Sequence, residues 1–276
     1  MRGLVLEGGA MRAVFTSGVL DGFAEAGEPP FDVVLGVSAG ACCATSYLTG
    51  QHGRNRRIYV DYMTNRTFVD PWRLLTGGSF FDMDYLMGPV ATVLDPLDID
   101  TLRAAPVRFE AGVVEAHTGA ACYLPANGPD LLQALLASVA IPIFYRGGPI
   151  PFRGGEYFDG GVVDPIPVAR ALALGATDLT VVLTHPRRWR PPPMSAAERA
   201  VVRLGLARYP ALIRVLARRQ DAYHHTFRIL DSPPANVRLR VLAPPDDFQV
   251  SRTTRDRRLL QQGYQQGLSQ GAHLGQ

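Results

Sequence analysis

A serine set between glycines and an aspartate followed by two more are the residues of this chain whose types and spacing could do chemistry together. Gly36-Val37-Ser38-Ala39-Gly40 fits the G-x-S-x-G pattern, in which a serine occupies the tip of a sharp turn from a strand into a helix. The residues before it, Asp32-Val33-Val34-Leu35, read as a buried strand, and Ala39 to Tyr47 continues with helical spacing. Side chains flanking such a turn would collide with the neighbouring strand or helix, which Gly36 and Gly40 avoid. The helix would aim its N-terminal N–H groups and positive dipole end at the serine oxygen, favouring negative charge there. Its first turns, Ala39 to Ala44, are all small, as close packing on a sheet requires. The pattern alone occurs by chance in many proteins, so the strand–turn–helix context is what makes Ser38 a candidate nucleophile.

A serine hydroxyl is a weak nucleophile and needs a base. Asp159 ends the strand Glu156-Tyr157-Phe158 and precedes Gly160 and Gly161, which let backbone approach closely. A catalytic acid–base group would be placed this way, and so would a purely structural turn aspartate. Other acidic residues have plainer roles. Asp164 reads as the N-cap of a helix from Pro165 to Leu174, and Asp100 as the N-cap before Thr101. Asp95, Asp98 and Asp100 lack the glycine turn and later glutamate of a calcium loop, so no metal site is expected. His185 completes a Ser38, Asp159, His185 order that an α/β-hydrolase triad would have. Against that triad, one strand precedes the elbow where that fold has several, and His185-Pro186 at a strand end has a simpler structural reading.

The elements that must position these residues follow in order. Gly3 to Leu6 is a short strand, and a helix runs from Ala13 to about Ala26 with Phe15, Val19 and Phe23 as its buried stripe. Between them lies Glu7-Gly8-Gly9-Ala10-Met11-Arg12, which lacks both the dinucleotide spacing and the Walker lysine of phosphate loops. It reads either as an oxyanion hole built from N–H groups around Gly9 and Ala10 or as a tight turn without a ligand. Residues 51–105 open with a helix from Arg54 through Met63 and continue as an aromatic stretch broken by Pro and Gly, from Phe68 through Leu75 to Phe81. They form a cap over the site or an insertion packed on the domain. Pro106 to Thr118 and Ala121 to Leu124 form a hairpin, and a helix spans about Pro129 to Ser138. Ala140-Ile141-Pro142 then makes a buried turn, and Asp178 to Thr184 is another core strand. Pro210 should separate two amphipathic helices, Val237 to Leu242 forms a last strand, and a helix from Thr253 to about Gln266 precedes a loose Gly/Gln tail.

With 276 residues, 47% hydrophobic and 19% charged, the chain can bury one large α/β core. All 28 basic residues are arginine and the net charge is only +3, which argues for coding bias rather than nucleic-acid binding. Ten arginines between Arg187 and Arg228 face only Glu198 and Asp221, so residues 187–228 are either a solvated face or a surface for anionic membrane. Cys42, Cys43 and Cys122 are an odd set without metal spacing, best read as small buried residues in a reducing compartment. No apolar run has the length of a membrane span, and the expectation is a cytoplasmic protein, peripheral at a membrane if at all.

Four signals in sequence, the Glu7–Arg12 loop, the elbow at Ser38, Ala140-Ile141-Pro142 and Asp159-Gly160-Gly161, resemble the patatin-like phospholipase family in content and order. The resemblance runs to about residue 185. It implies a three-layer α/β/α fold with a mostly parallel central sheet. It also implies a catalytic domain over 1–185 carrying the cap, and an extension over 186–276 packed on the same domain. By the same resemblance Ser38 is the nucleophile and Asp159 its partner in a Ser–Asp dyad. Gly8, Gly9 and Ala10 supply the oxyanion hole, Arg12 matches the family's arginine, and no cofactor is needed. Arg12 would hold the loop, steer an anionic headgroup or form a structural ion pair. The implied substrate is a lipid ester. The family loop usually carries glycine where this chain has Ala10 and Ala13, so an alanine would be strained wherever φ > 0 is required. That departure keeps open a lipid- or partner-binding protein on the same fold without turnover.

Overall fold

The strands Arg2–Leu6 (β1), Val33–Val37 (β2) and Asp178–Val182 (β7) are buried almost throughout, so neither sheet face they contribute meets water. In the computed structural model, which describes residues 1–74 and 76–273, they form the centre of an eight-stranded sheet. The other strands are Arg108–Glu115 (β3), Ala121–Pro125 (β4), Ile150–Phe152 (β5), Gly155–Asp159 (β6) and Arg238–Leu242 (β8). The order is β5-β6-β3-β2-β1-β7-β8, with β4 paired to β3. The pairs β1–β2, β1–β7, β2–β3 and β7–β8 are parallel, and β4, β5 and β6 add antiparallel pairings around β3. The mostly parallel sheet is the expected one.

Alternation along β1 sorts the core into two faces. Leu4 and Leu6 join one cluster with the helices Val14–Glu25 (α1), Ala39–Leu48 (α2) and Leu131–Val139 (α3), while Val5 joins the other. That other cluster is covered by Val168–Ala173 (α4) and Arg219–Asp231 (α7), through Val168, Ala171, Tyr223 and Phe227. Between them in sequence lie Ala196–Gly205 (α5) and Pro210–Ala217 (α6), and the last helix is Arg257–Ala272 (α8). The arrangement is α/β/α.

Several sequence expectations are corrected. Residues from Gly267 to Ala272 are helix rather than loose tail, and their glycines have a packing role. A Cβ on Gly267 would lie 2.1 Å from the Phe15 carbonyl oxygen, and one on Gly271 2.3 Å from that of Val19, so α8 lies backbone to backbone on α1. Residues 274–276 and Leu75 of the cap lie outside the described residues. Pro210 separates α5 from α6 as the first residue of α6, but a third helix, α7, also falls within 196–231. The helix expected from Arg54 to Met63 is one α turn, Arg54–Arg57, widening into a π-helical stretch at Ile58–Tyr62. Asp98, not Asp100, caps the helix Ile99–Ala104, accepting the Thr101 N–H at 2.9 Å. Asp164 caps nothing, because α4 starts only at Val168, and its carboxylate instead accepts the Tyr123 hydroxyl at 2.5 Å.

Strand register explains why residues 38 and 159 meet. β4 occupies one edge of β3, opposite Glu110 to Val114. The other edge is shared by two strands. β2 runs parallel along it and stops with Val37 opposite Gly112, while β6 arrives antiparallel and stops with Asp159 opposite Val113. Their C-terminal ends therefore abut head to head at consecutive positions of β3.

Candidate active site

Ser38 follows directly on β2 and serves as the N-cap position of α2, with φ 55° and ψ −129°. A non-glycine residue in that conformation stores on the order of 1–3 kcal/mol of strain, and such strain persists only where surrounding contacts enforce it. The contacts are visible. A Cβ on Gly36 would lie 2.5 Å from Ala41 Cα, and one on Gly40 2.6 Å from the Leu6 carbonyl oxygen, so strand, turn and helix pack without room for side chains. The Ser38 N–H donates to Ser138 Oγ at 2.8 Å, and that hydroxyl donates to the Gly112 carbonyl at 2.8 Å. Ser138 and Gly112 escaped the sequence reading, since only the register of β3 shows that Gly112 stands at the junction.

Asp159 is 5% exposed. Its N–H donates to the Ala140 carbonyl at 3.0 Å, which gives the Ala140-Ile141-Pro142 turn its purpose. Its Oδ1 accepts the Gly161 N–H at 2.7 Å, and the Ser38 side chain lies near enough to favour the ionised carboxyl, though no hydrogen bond within 3.5 Å joins Ser38 to Asp159 among the described residues. Catalytic hydrogen bonds are commonly loose before substrate arrives. Burial pushes the Asp159 carboxyl up to about 6, against the opposing pull of the Ser38 side chain, the Gly161 hydrogen bond and Arg219 and Arg252. The carboxylate so becomes a better base than an ordinary aspartate. Gly160 is required by close approach, since a Cβ there would sit 2.5 Å from the Gly112 backbone.

The Glu7–Arg12 loop lies against the elbow: a Cβ on Gly8 would be 3.1 Å from Ser38 Cβ. Of the three expected oxyanion donors, Gly8 is a correction, because its N–H donates to the Pro165 carbonyl at 3.3 Å. Gly9 and Ala10 keep N–H groups without a hydrogen-bond partner among the described residues. Ala10 does adopt the left-handed region, at φ 49°, so the alanine is strained, whereas Ala13 has an ordinary φ of −69°.

Against this geometry, a family model of patatin-like phospholipases matches residues 4–172. The chain belongs to the patatin-like phospholipase family. A second family model, a domain of unknown function (DUF6363), matches residues 209–274. The uncharacterized protein YjjU of Escherichia coli (strain K12) is 35% identical over 253 residues, covering 88% of this chain and 68% of that protein. Among solved structures, VipD from Legionella pneumophila superposes with a TM-score of 0.51 at 12% identity, over 98% of this chain and 66% of that one. At that identity the likeness concerns the fold alone, and this chain spans slightly under two thirds of that structure.

In this patatin-like chain an apolar slot opens beside Ser38. Its empty space is about 820 Å³ with the open mouth included. It is lined by Ser38, Ala10 and Ala39, by Leu132, Leu135 and Val139 around α3, and by Phe68, Phe81, Met83, Leu86, Val90 and Ala91 from residues 51–105. Leu86, Val90 and Ala91 of this lining are carried by an irregular, π-helical stretch, Leu86–Leu94.

His185 stands apart from Ser38 and Asp159. Its Nδ1 lies 3.2 Å from Glu7 Oε1 and its ring stacks on Trp189 at 3.5 Å, and no hydrogen bond joins it to Ser38 or Asp159 among the described residues. Glu7 is fully buried and also accepts the Thr184 N–H at 2.6 Å and the Tyr223 hydroxyl at 3.0 Å. Of the readings open for Arg12, the structural ion pair is not formed among the described residues, where its Nε and Nη2 are enclosed without a hydrogen-bond partner. Cys42, Cys43 and Cys122 are free thiols, and burial pushes Cys42 to about 12 and Cys43 to about 11, so neither is a nucleophile. Among the described residues no cluster of three His, Cys, Asp or Glu could hold a metal ion, and no helix is long and apolar enough to cross a membrane.

Proposed function

We propose that the protein is a serine acyl hydrolase of lipid esters working through a Ser38–Asp159 dyad. The observation that carries the reading is the strained Ser38, which lines an apolar slot, beside a buried carboxyl raised to about 6. Asp159 takes the hydroxyl proton as Ser38 Oγ attacks the ester carbonyl carbon, and the N–H groups of Gly9, Ala10 and Ala39 face the charge gathering on the carbonyl oxygen. The tetrahedral adduct collapses to an acyl-serine as the alcohol leaves with the proton. Water, deprotonated by Asp159, then releases the fatty acid and restores Ser38. The slot receives the acyl chain.

The test is labelling by a fluorophosphonate together with hydrolysis of a panel of phospholipid, lysophospholipid and glyceride esters, with Ser38→Ala as blank. Labelling and hydrolysis lost in both Ser38→Ala and Asp159→Asn support the dyad. A wild-type protein that folds, binds lipid and is never labelled is instead a binding protein on this fold.

Peripheral attachment at an anionic membrane belongs to the same proposal. Helix α5 has no buried residue, and its Val201 and Leu204 stand 56% and 85% exposed on a helix that also carries Arg199 and Arg203. Such a helix lies in a headgroup layer with its apolar side down. Co-sedimentation with anionic vesicles at low salt should fall when both residues are changed, Val201→Glu with Leu204→Glu. Binding unchanged in that double variant would locate attachment elsewhere or nowhere.

A further inference from the structure

Arg219, the first residue of α7, reaches the turn that carries Asp159 through the backbone. Its Nε donates to the Gly161 carbonyl at 2.9 Å, and the N–H of that same glycine donates to Asp159 Oδ1 at 2.7 Å. Its Nη2 donates to the Tyr223 hydroxyl, about one helical turn on, at 3.4 Å, and its guanidinium carbon lies 5.2 Å from the centre of the Tyr223 ring. Tyr223 is fully buried and donates in turn to Glu7 Oε1 at 3.0 Å. The start of α7 therefore ties the Asp159 turn to Glu7, where the oxyanion loop begins. Helix α6, just before it, packs on the short 3-10 turn Gly160–Val162. Arg219, Tyr223 and α6 all lie beyond residue 172, where the patatin-like match ends, and within the second match at 209–274.

This placement has an electrostatic consequence. A direct ion pair with arginine would hold the Asp159 carboxyl at or below the ordinary aspartate range and make it a poor base, whereas burial with no cation nearby would leave it protonated at neutral pH. Arg219 spends its donors on Gly161 and Tyr223, so its charge reaches the carboxyl from the far side of the turn. Burial pushes that carboxyl up to about 6, and Arg219 is the foremost of the charges that oppose a further rise. The other groups facing Asp159 are Arg252, exposed in the loop before α8, and Cys42 of α2, a neutral thiol that burial pushes to about 12. Of the three, Arg219 alone hydrogen-bonds the turn among the described residues. Arg219 is itself faced by Tyr223, Arg12 and Arg252.

We propose that Arg219 is a positioning residue of the active site, by which the C-terminal segment 209–274 fixes Gly161 and sets a positive charge at the turn carrying Asp159. The proposal takes from the hydrolase reading only the role of that carboxylate as a base. The titration of Asp159 is followed by NMR of aspartate side-chain carboxyl carbons, its signal identified by loss in Asp159→Asn, in wild type, Arg219→Gln and Arg219→Lys. The midpoint is expected to rise by about one pH unit in Arg219→Gln and by much less in Arg219→Lys, which keeps the charge. Fluorophosphonate labelling should follow, with Arg219→Gln falling further behind wild type at pH 6 than at pH 8.5, by about fivefold. An equal rise in both variants assigns the effect to the hold on Gly161 and supports the positioning role. A midpoint left in place in folded Arg219→Gln, with labelling slowed alike at every pH or not at all, overturns it. Arg219→Met, which keeps the apolar stem over the Tyr223 ring, gives the same reading if circular dichroism shows that Arg219→Gln does not fold. A wild-type protein that is never labelled, and whose Asp159 midpoint still moves with Arg219, counts against the hydrolase and leaves the positioning role standing.

Discussion

Ser138 holds Ser38 from behind: the strained residue's N–H ends on the Ser138 hydroxyl at 2.8 Å, and that hydroxyl reaches the Gly112 carbonyl at 2.8 Å. All of this is buried, so removing the hydroxyl leaves an N–H and a carbonyl without partners. Ser138→Ala should cost about 1–3 kcal/mol of stability in denaturant unfolding. Because the link fixes the backbone at the elbow, the rate of fluorophosphonate labelling should drop as well. A variant with full stability and an unaltered labelling rate would show that the sheet alone enforces the turn.

The buried carboxyl of Asp159, raised from 3.8 to about 6, makes opposite demands on activity and stability. As a base it must be ionised, so kcat/KM for a soluble ester should fall as pH drops below about 6. For stability, the folded protein holds this proton more tightly than the unfolded chain does. Below about pH 4 both states are protonated and no penalty exists; the penalty grows as pH rises to about 6 and is complete above it, at roughly 3 kcal/mol. Asp159→Asn should therefore be inactive yet more stable at pH 8, with its advantage vanishing near pH 4. Equal stability of the two proteins across that range would show that Asp159 titrates normally.

Much of this site was legible because its parts are local. The elbow needs glycine at 36 and 40 for reasons any strand–turn–helix imposes, and Asp159-Gly160-Gly161 announces a close backbone approach by composition alone. What was not legible depends on pairing across the sheet. Nothing near Ser138 or Gly112 in sequence says that β2 and β6 end against each other on β3, since the register joins residues more than forty positions apart. The same holds for Arg219, one arginine of the 187–228 stretch until α7 brings its Nε to the Gly161 carbonyl. The glycines of α8 looked like a loose tail because helix propensity disfavours them, and packing on α1 overrides that preference. Asp164 failed as a cap because its helix starts a turn later than the Pro165 signal suggests.

His185 should prove dispensable for chemistry and important for folding. Burial holds its pKa below the ordinary histidine value despite Glu7, so the neutral ring donates its Nδ1–H to Glu7. Burial alone would raise Glu7, but the hydrogen bond and charge of His185, the Thr184 N–H and Arg12 bring it below the ordinary value. Both shifts act in one direction. The unfolded histidine takes up a proton as pH falls through about 6.5, which the folded one resists, and at lower pH the unfolded glutamate does the same. His185→Ala should lose about 1–3 kcal/mol at neutral pH and show a flatter acid limb of stability between pH 7 and 5. It should keep fluorophosphonate labelling. Labelling abolished in a folded His185→Ala protein, and spared in Asp159→Asn, would overturn the dyad and make His185 the base.

The slot should set the acyl chain length. Ala91 projects into it from the cap, 7% exposed, among Phe68, Leu86, Val90 and the α3 residues Leu135 and Val139. Enlarging that side chain fills space a fatty chain would use, whereas the reacting groups at Ser38 and Asp159 stay where the β2–β3–β6 junction holds them. Ala91→Phe should therefore leave short esters such as a butyrate nearly unaffected and reduce kcat/KM for a sixteen-carbon ester. Each methylene that no longer fits forfeits about 0.8 kcal/mol of burial, so losing two costs about tenfold. Overpacking would also destabilise the protein by about 1–3 kcal/mol, which thermal unfolding would register separately. The check is a series of p-nitrophenyl esters from four to sixteen carbons on wild type and variant. A uniform loss at every length would mean that the cap, rather than the fit of the chain, was disturbed, and an unchanged profile would place the acyl chain outside the slot.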